Sequence, residues 1–207
     1  MPADELRRVG QFENVRRLER LRDDQNLVIR RAGQAGKPVL MSLDLVRQDL
    51  RRAVLVAAGL DPLRTAKEIP PVLWDDGSSR LLVHLDQAEV NLGMGTADVL
   101  LVVECDETGN DKIVCTFVTS SLKRPAGFVW ASESRPRGPA AVVEIWGEAL
   151  VALCWRALVE IAATGASSQG VDALGQQLIA STVLATPDGL LIVPMAAPTF
   201  MRVAGGR

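Results

Sequence analysis

The fifteen residues from Ala149 to Ala163 include only two charges, Arg156 and Glu160. Set on a helix over 148–163, Glu148, Arg156 and Glu160 share one arc and the rest of the circumference is apolar. A helix with so narrow a polar stripe has to be enclosed by the remainder of the chain. This segment is therefore expected to be the central core helix, with Arg156 and Glu160 spaced to pair one turn apart. It is shorter and more charged than a bilayer span, which takes about 20 apolar residues. Just upstream, Ala140–Trp146 fits either a strand or a helix, and Gly147 is expected to separate it from the core helix.

The segments available to enclose that helix read mostly as strands. Leu81, Val83 and Leu85 alternate with Leu82, His84 and Asp86, and Ala88, Val90 and Leu92 alternate with Glu89 and Asn91. The apolar set switches from odd to even numbers between them. Strand side chains alternate with period two, so the switch predicts a bulge or tight turn near Asp86-Gln87. Val99–Cys105 and Ile113–Thr119 flank Asp106–Lys112, a hairpin pattern. Phe128–Ser132 reads as a short strand and Arg135–Pro139 as a loop. Asp172–Ile179 reads as a short helix. Thr182–Ala185 and Leu190–Met195 flank the turn sequence Thr186-Pro-Asp-Gly189. Strands in hairpin-linked runs, not alternating with helices, point to an α+β fold. The expected architecture is one antiparallel sheet of about five to seven strands packed on the buried helix of the C-terminal half.

The first 66 residues differ in character. They carry a charge balance of +4, against −2 for the whole chain. Residues 4–24 read as a helix with Leu6, Val9, Phe12, Val15, Leu18 and Leu21 at three-residue steps. That spacing winds a thin apolar stripe around a helix of 3.6 residues per turn. Leu27–Arg31 and Pro38–Met41 suggest a hairpin about a Gly-rich loop. Residues 45–58 form a clear helix, with Ser42 or Asp44 as cap, Val46, Leu50, Ala53, Val54 and Ala57 on one face, and Gly59 and Pro62 as stops. The expected division is a basic, helical N-terminal arm over 1–66 and an α+β body over 67–207.

Composition excludes several classes of function. The net charge of −2 does not suit a general binder of polyanions. Three cysteines, Cys105, Cys115 and Cys154, do not make the disulfide framework of a small secreted domain, and the N-terminal residues lack the apolar run of a signal peptide. A cytoplasmic location is expected. His84 is the only histidine, which removes His-pair metal sites and multi-histidine mechanisms.

Candidate chemistry is scattered. His84 could pair with Cys105 or Cys115 as a base with a thiol nucleophile. Cys105 and Cys115 face each other if the hairpin turns at Gly109-Asn-Asp111. Ser120-Ser-Leu-Lys123 has the spacing that lets a lysine take a proton from a serine one helical turn away, although Pro125 follows closely. Glu104, Asp106, Glu107 and Asp111 crowd one hairpin and read first as solvated charge. Gly93-Met-Gly95 is followed by a strand, not the helix that a dinucleotide site needs, so it reads as a hairpin connection. The candidate catalytic residues are thus His84, Glu104, Cys115, Ser120 and Lys123, with no cofactor and no metal expected.

The reading these residues favour is a non-catalytic protein-interaction or assembly component, binding itself or another protein and not a membrane. Two alternatives stand beside it. One is an enzyme whose site is assembled from those scattered residues. The other is nucleic-acid binding through the arginine-rich arm, with Arg16, Arg17, Arg20, Arg30 and Arg31 as contacts and a steep dependence on salt.

Overall fold

Burial of the long apolar helix organises the molecule. In the computed structural model, which describes residues 37–63, 69–77, 79–119, 130–131, 135–170 and 175–196, two helices and eight strands are present. They are β1 (Val39–Ser42), α1 (Leu43–Ala57), β2 (Val72–Asp75), β3 (Arg80–Gly93), β4 (Thr96–Cys105), β5 (Gly109–Val118), β6 (Trp130–Ala131), α2 (Ala140–Ser167), β7 (Leu178–Thr186) and β8 (Gly189–Ala196). All strand pairs are antiparallel. The fold is α+β, as expected. The strands divide into two sheets where one was expected: a five-stranded meander in the order β2-β3-β4-β5-β6 and a three-stranded sheet in the order β1-β8-β7. The expected arm helix over 4–24 and the strand over 27–31 lie outside the described residues.

Helix α2 runs unbroken through Gly147, joining the two segments that the sequence suggested were separate. Glycine costs a helix about 1 kcal/mol relative to alanine. Burial on both sides of Gly147, with Trp146, Ala149 and Leu150 all enclosed, outweighs that cost. At 28 residues the helix is long and apolar enough to cross a bilayer by length and composition, a correction to the shorter stretch read from sequence. Here 67% of its most apolar window is buried within the protein, against α1 and both sheets.

Helix α1 begins and ends on local signals. The Ser42 side chain accepts a hydrogen bond from Leu45 N, and Asp44 places negative charge in the first turn, where the helix dipole favours it. At the other end Gly59 takes φ +74°, Gly59 N donates to Val56 O, and Leu60 N donates to Leu55 O. That pair of bonds is the Schellman arrangement, which needs a residue able to adopt positive φ. The expected apolar face (Val46, Leu50, Ala53, Val54, Ala57) is buried. Val39–Ala57, grouped with the basic arm by charge, lie in one hydrophobic cluster with residues from Ile69 to Ile192.

The hairpins place the remaining elements. The expected bulge in β3 is present as a register shift between His84 and Glu89. It lets Leu81, Val83 and Leu85 on one side, and Ala88 and Val90 on the other, all face the core. Gly93 pairs with Thr96 around a two-residue turn, so the glycines join strands as expected. The loop between β4 and β5 is shorter than expected, residues 106–108, because Gly109 at φ +72° closes the hairpin early. Leu178 and Ile179 belong to strand β7, not to a short helix, since pairing with Ala196 and Met195 satisfies their backbone.

The two sheets meet at a buried joint. Gly95 N donates to Ala185 O, Thr119 N donates to Gly95 O, and Ala185 N donates to the Thr119 hydroxyl, at 2.8–2.9 Å. Thr119 is the buried polar residue among the described ones. On the far side of the small sheet, Gly165 of α2 sits where a Cβ would collide with Ile192 and Met41. The β7–β8 turn is tighter still. A Cβ at Gly189 would collide with the backbone oxygen of Met41, and its φ is +153°. The substitution Gly189→Ala is therefore expected to cost about 2–4 kcal/mol, read as a lower urea midpoint of tryptophan fluorescence with unchanged slope.

Candidate functional site

Each strand of the five-stranded sheet sends alternate residues to opposite faces, and this parity sorts the candidate residues. On β3, Leu81 and Val83 point inward and His84 outward. On β4, Val103 points inward and Glu104 outward. On β5, Ile113, Cys115 and Phe117 point inward. His84 and Glu104 thus share a face, with Nε2 of the imidazole 3.8 Å from the Glu104 carboxylate. That exceeds hydrogen-bonding distance, so the pair interacts through charge when the histidine is protonated. His84 Nε2 is buried without a hydrogen-bond partner. Around it lies an open groove of about 520 Å³, lined by His84, Gln87, Val102, Glu104, Asn110, Asp111 and Lys112.

Cys115 is 1% exposed and lies on the inner face, so the sheet itself separates it from His84. A cysteine–histidine dyad between these two is excluded by parity. Register also separates the two strand cysteines: Cys105 pairs with Gly109 and Cys115 with Val99. Cys105 instead places its sulfur 3.1 Å from the Thr108 hydroxyl. The neighbour of Cys115 is Cys154 of α2, a contact that nothing in the sequence signals. Burial pushes the Cys154 thiol well above its ordinary value, and the hydrogen bond and charge of Cys115 push it further in the same direction. Ser120 and Lys123 lie outside the described residues, as do Arg16, Arg17, Arg20, Arg30 and Arg31. Among the described residues no three of His, Cys, Asp and Glu come together as a metal set.

Farther along the same outer face, Asp98 accepts a hydrogen bond of 2.6 Å from the Thr116 hydroxyl and lies 3.5 Å from the Arg137 guanidinium. Arg137 is held by backbone hydrogen bonds to Val114 in both directions. Between α1 and α2, Arg52 bonds Glu160 and the Thr164 hydroxyl, and also approaches Asp49. These clusters tie elements together through paired polar side chains.

The three-stranded sheet has a different outer face. Its inner face holds Met41, Val183, Ala185, Leu190 and Ile192, all buried against the helices. In register on the outside stand Leu40, Leu191 and Leu184, one from each strand, followed by Val193 beside Thr182 and Met195 beside Ile179. Leu40 is 58% exposed and Ile179 38%. No charged side chain lies on this face among the described residues. The sequence signal was present in Leu190–Met195, which is apolar at both odd and even positions. A strand with one face in water should alternate, and this one does not.

No protein-family model, curated protein or solved structure matches the chain.

The burial of the Cys115–Cys154 pair has a chemical consequence. In the native protein an aqueous disulfide reagent is expected to titrate Cys105 alone, with Cys115 and Cys154 reacting only after denaturation. The stability contribution follows from the raised Cys154 value. The unfolded thiol ionises around its ordinary 9.0 while the folded one stays neutral, so this group's contribution to stability is constant well below that pH and falls as pH rises past it. Urea midpoints at pH 7, 9 and 10 read this directly.

Proposed function

We propose that the protein is a non-catalytic interaction component of the reducing cytoplasm, and that it holds a partner protein, or a further copy of itself, on the outer face of β1, β7 and β8. The observation that carries this reading is the row Leu40, Leu191 and Leu184, continued by Val193, Met195 and Ile179. Of these six, Leu40 and Ile179 are exposed and the other four half-buried, and together they form an apolar patch that water solvates poorly. Patches of this kind on a folded surface mark interaction sites. Strand β1 adds a second element of recognition. It pairs only with β8 among the described strands, so its outer backbone groups can receive another strand.

The groove at His84 supports catalysis less well. An imidazole and a carboxylate face each other there, but the nearest thiols lie on the other side of the sheet and the groove is wide open to solvent. General-base chemistry needs a nucleophile or substrate proton within about 3 Å, and no side chain around the groove offers that arrangement.

The test compares stoichiometric co-purifying protein and assembly state for the natural chain, Leu191→Asp and His84→Ala. Leu191→Asp is expected to weaken association at least tenfold, since desolvating a carboxylate on an apolar contact costs more than about 1.4 kcal/mol. His84→Ala, on the other sheet, is expected to leave association unchanged. Retention of the partner by a folded Leu191→Asp protein would remove this reading. Loss of a measurable activity in His84→Ala would move the assignment to an enzyme.

A further inference from the structure

Three elements meet around a small cavity at the start of α2. Ser79 and Arg80 lead into β3, Asp106 and Glu107 belong to the β4–β5 loop, and α2 supplies its first turn and Trp146. Cross-strand pairing of Trp74 with Leu81, and of Leu81 with Cys105, sets the turn and the loop side by side. The cavity has a volume of about 70 Å³. One water needs about 10–15 Å³ on this measure, so about five to seven non-hydrogen atoms fit.

Helix α2 begins at this cavity without a cap. Its N-cap is Pro139, whose side chain neither donates nor accepts, and its first turn holds no acidic residue. Helix α1, by contrast, has both Ser42 and Asp44 at its start. The α2 ladder opens with Val143 N donating to Pro139 O, so the amides of Ala140, Ala141 and Val142 stand ahead of it as orphan donors. Such amides, with the helix dipole behind them, favour an anion. Trp146 points to the same conclusion independently. It is 1% exposed, and its Nε1 is buried with no hydrogen-bond partner. Long side chains on a helix lean toward its N-terminus, which carries this indole one turn back past Val142 to the cavity wall. A buried N–H without an acceptor is uncommon in a folded protein, and here it marks where an acceptor from outside the chain fits. Arg80 adds positive charge. Its Nε faces Asp75 at 3.3 Å, and its terminal nitrogens have no acceptor among the described residues.

The loop side of the cavity carries the opposite sign. Asp106 and Glu107 are exposed and have no ion pair among the described residues. A simple anion would meet them as like charges. A ligand with a positive nitrogen at its far end would meet them as partners.

We infer that this cavity binds a small zwitterion, a carboxylate joined through one or two carbons to an ammonium group. The carboxylate accepts from Trp146 Nε1, the first α2 amides and Arg80, and the ammonium faces Asp106 and Glu107. Short amino acids belong to this class. None of the described lining residues comes from the small sheet, so the site is separate from the proposed partner surface.

The test uses the full chain with glycine as probe. Cys105 lines the cavity and is the cysteine that is not buried, so its rate of labelling by a maleimide reports occupancy. The limit on affinity per atom keeps a ligand of this size no tighter than about micromolar, so glycine is scanned from about 1 μM to about 10 mM. The expected result is a saturable slowing of labelling, with acetate and methylammonium each needing at least about tenfold higher concentration. The surface substitutions Asp106→Asn and Glu107→Gln together are expected to weaken glycine at least about tenfold and leave acetate no weaker. Trp146→Phe keeps the ring and removes the N–H, and is expected to weaken glycine and acetate alike by about tenfold. Should that variant fold poorly, the acidic pair decides alone. Labelling that glycine leaves unchanged, or slows in proportion to concentration without saturating, would overturn the inference. So would acetate protecting as well as glycine, or glycine binding unchanged without the acidic pair, either of which would assign a simple anion site. Methylammonium protecting as well as glycine would assign a cation site and also overturn it.

Discussion

Enclosure of α2 is the constraint from which the architecture follows. Apart from the stripe of Glu148, Arg156 and Glu160, its 148–163 stretch is apolar on every side, and neither sheet alone could bury it. The five-stranded meander covers one flank, the three-stranded sheet another, and α1 a third. Arg52 of α1 reaches Glu160 and Thr164 and so pairs one end of the polar stripe. The largest buried side chains, Trp74, Trp146 and Trp155, fill the space around it, with the Trp74 and Trp146 rings 6.1 Å apart and tilted by 46°. Aromatic pairs favour such tilted geometry over face-to-face stacking.

Two sheets flanking one helix have to be joined, and Thr119 makes the joint. Its hydroxyl and amide, with the Gly95 amide and carbonyl, connect the β3–β4 turn to β7. A buried hydroxyl is expensive unless bonded, so the joint has one favoured geometry. With the inner faces committed to α2, the outer faces are the free variables. The large sheet carries polar contacts at Asp98, Thr116 and Arg137 on its own, beside the unpartnered His84 Nε2 and the exposed Leu73. The outer face of the small sheet differs in carrying no charged side chain among the described residues, with Leu40, Leu191 and Leu184 in register across its three strands.

Much of the local structure was legible in the sequence. Ser42 and Gly59 bracket α1 because capping is a property of a few adjacent residues. The parity switch between Leu85 and Ala88 reveals the bulge because alternation is a local rule. Legibility fails where distant residues decide. Gly147 reads as a break until the burial on either side of it is counted. Leu178 and Ile179 read as helical until Met195 and Ala196 are placed beside them. The single expected sheet becomes two because the β1–β8 pairing has no signature in either strand. The site followed the same division. His84 and Glu104 were candidates that the register brought together, and Cys115 was a candidate that parity turned inward. The leucine row has no signature in the sequence because its members come from three separate segments.

The β1–β8 pairing also bears on how the chain is made. Leu40 and Leu191 are cross-strand neighbours separated by about 150 residues of chain. At synthesis rates of about 5–20 residues per second, β1 waits on the order of 10–30 s for its partner. The meander of β2 to β5 needs only contacts between neighbours and can form in that interval. Until β8 emerges, Met41 and Leu40 stand on opposite faces of a strand without its described partner. Among the described elements the small sheet is thus the last to close, and its apolar faces are most exposed to aggregation before β8 is made.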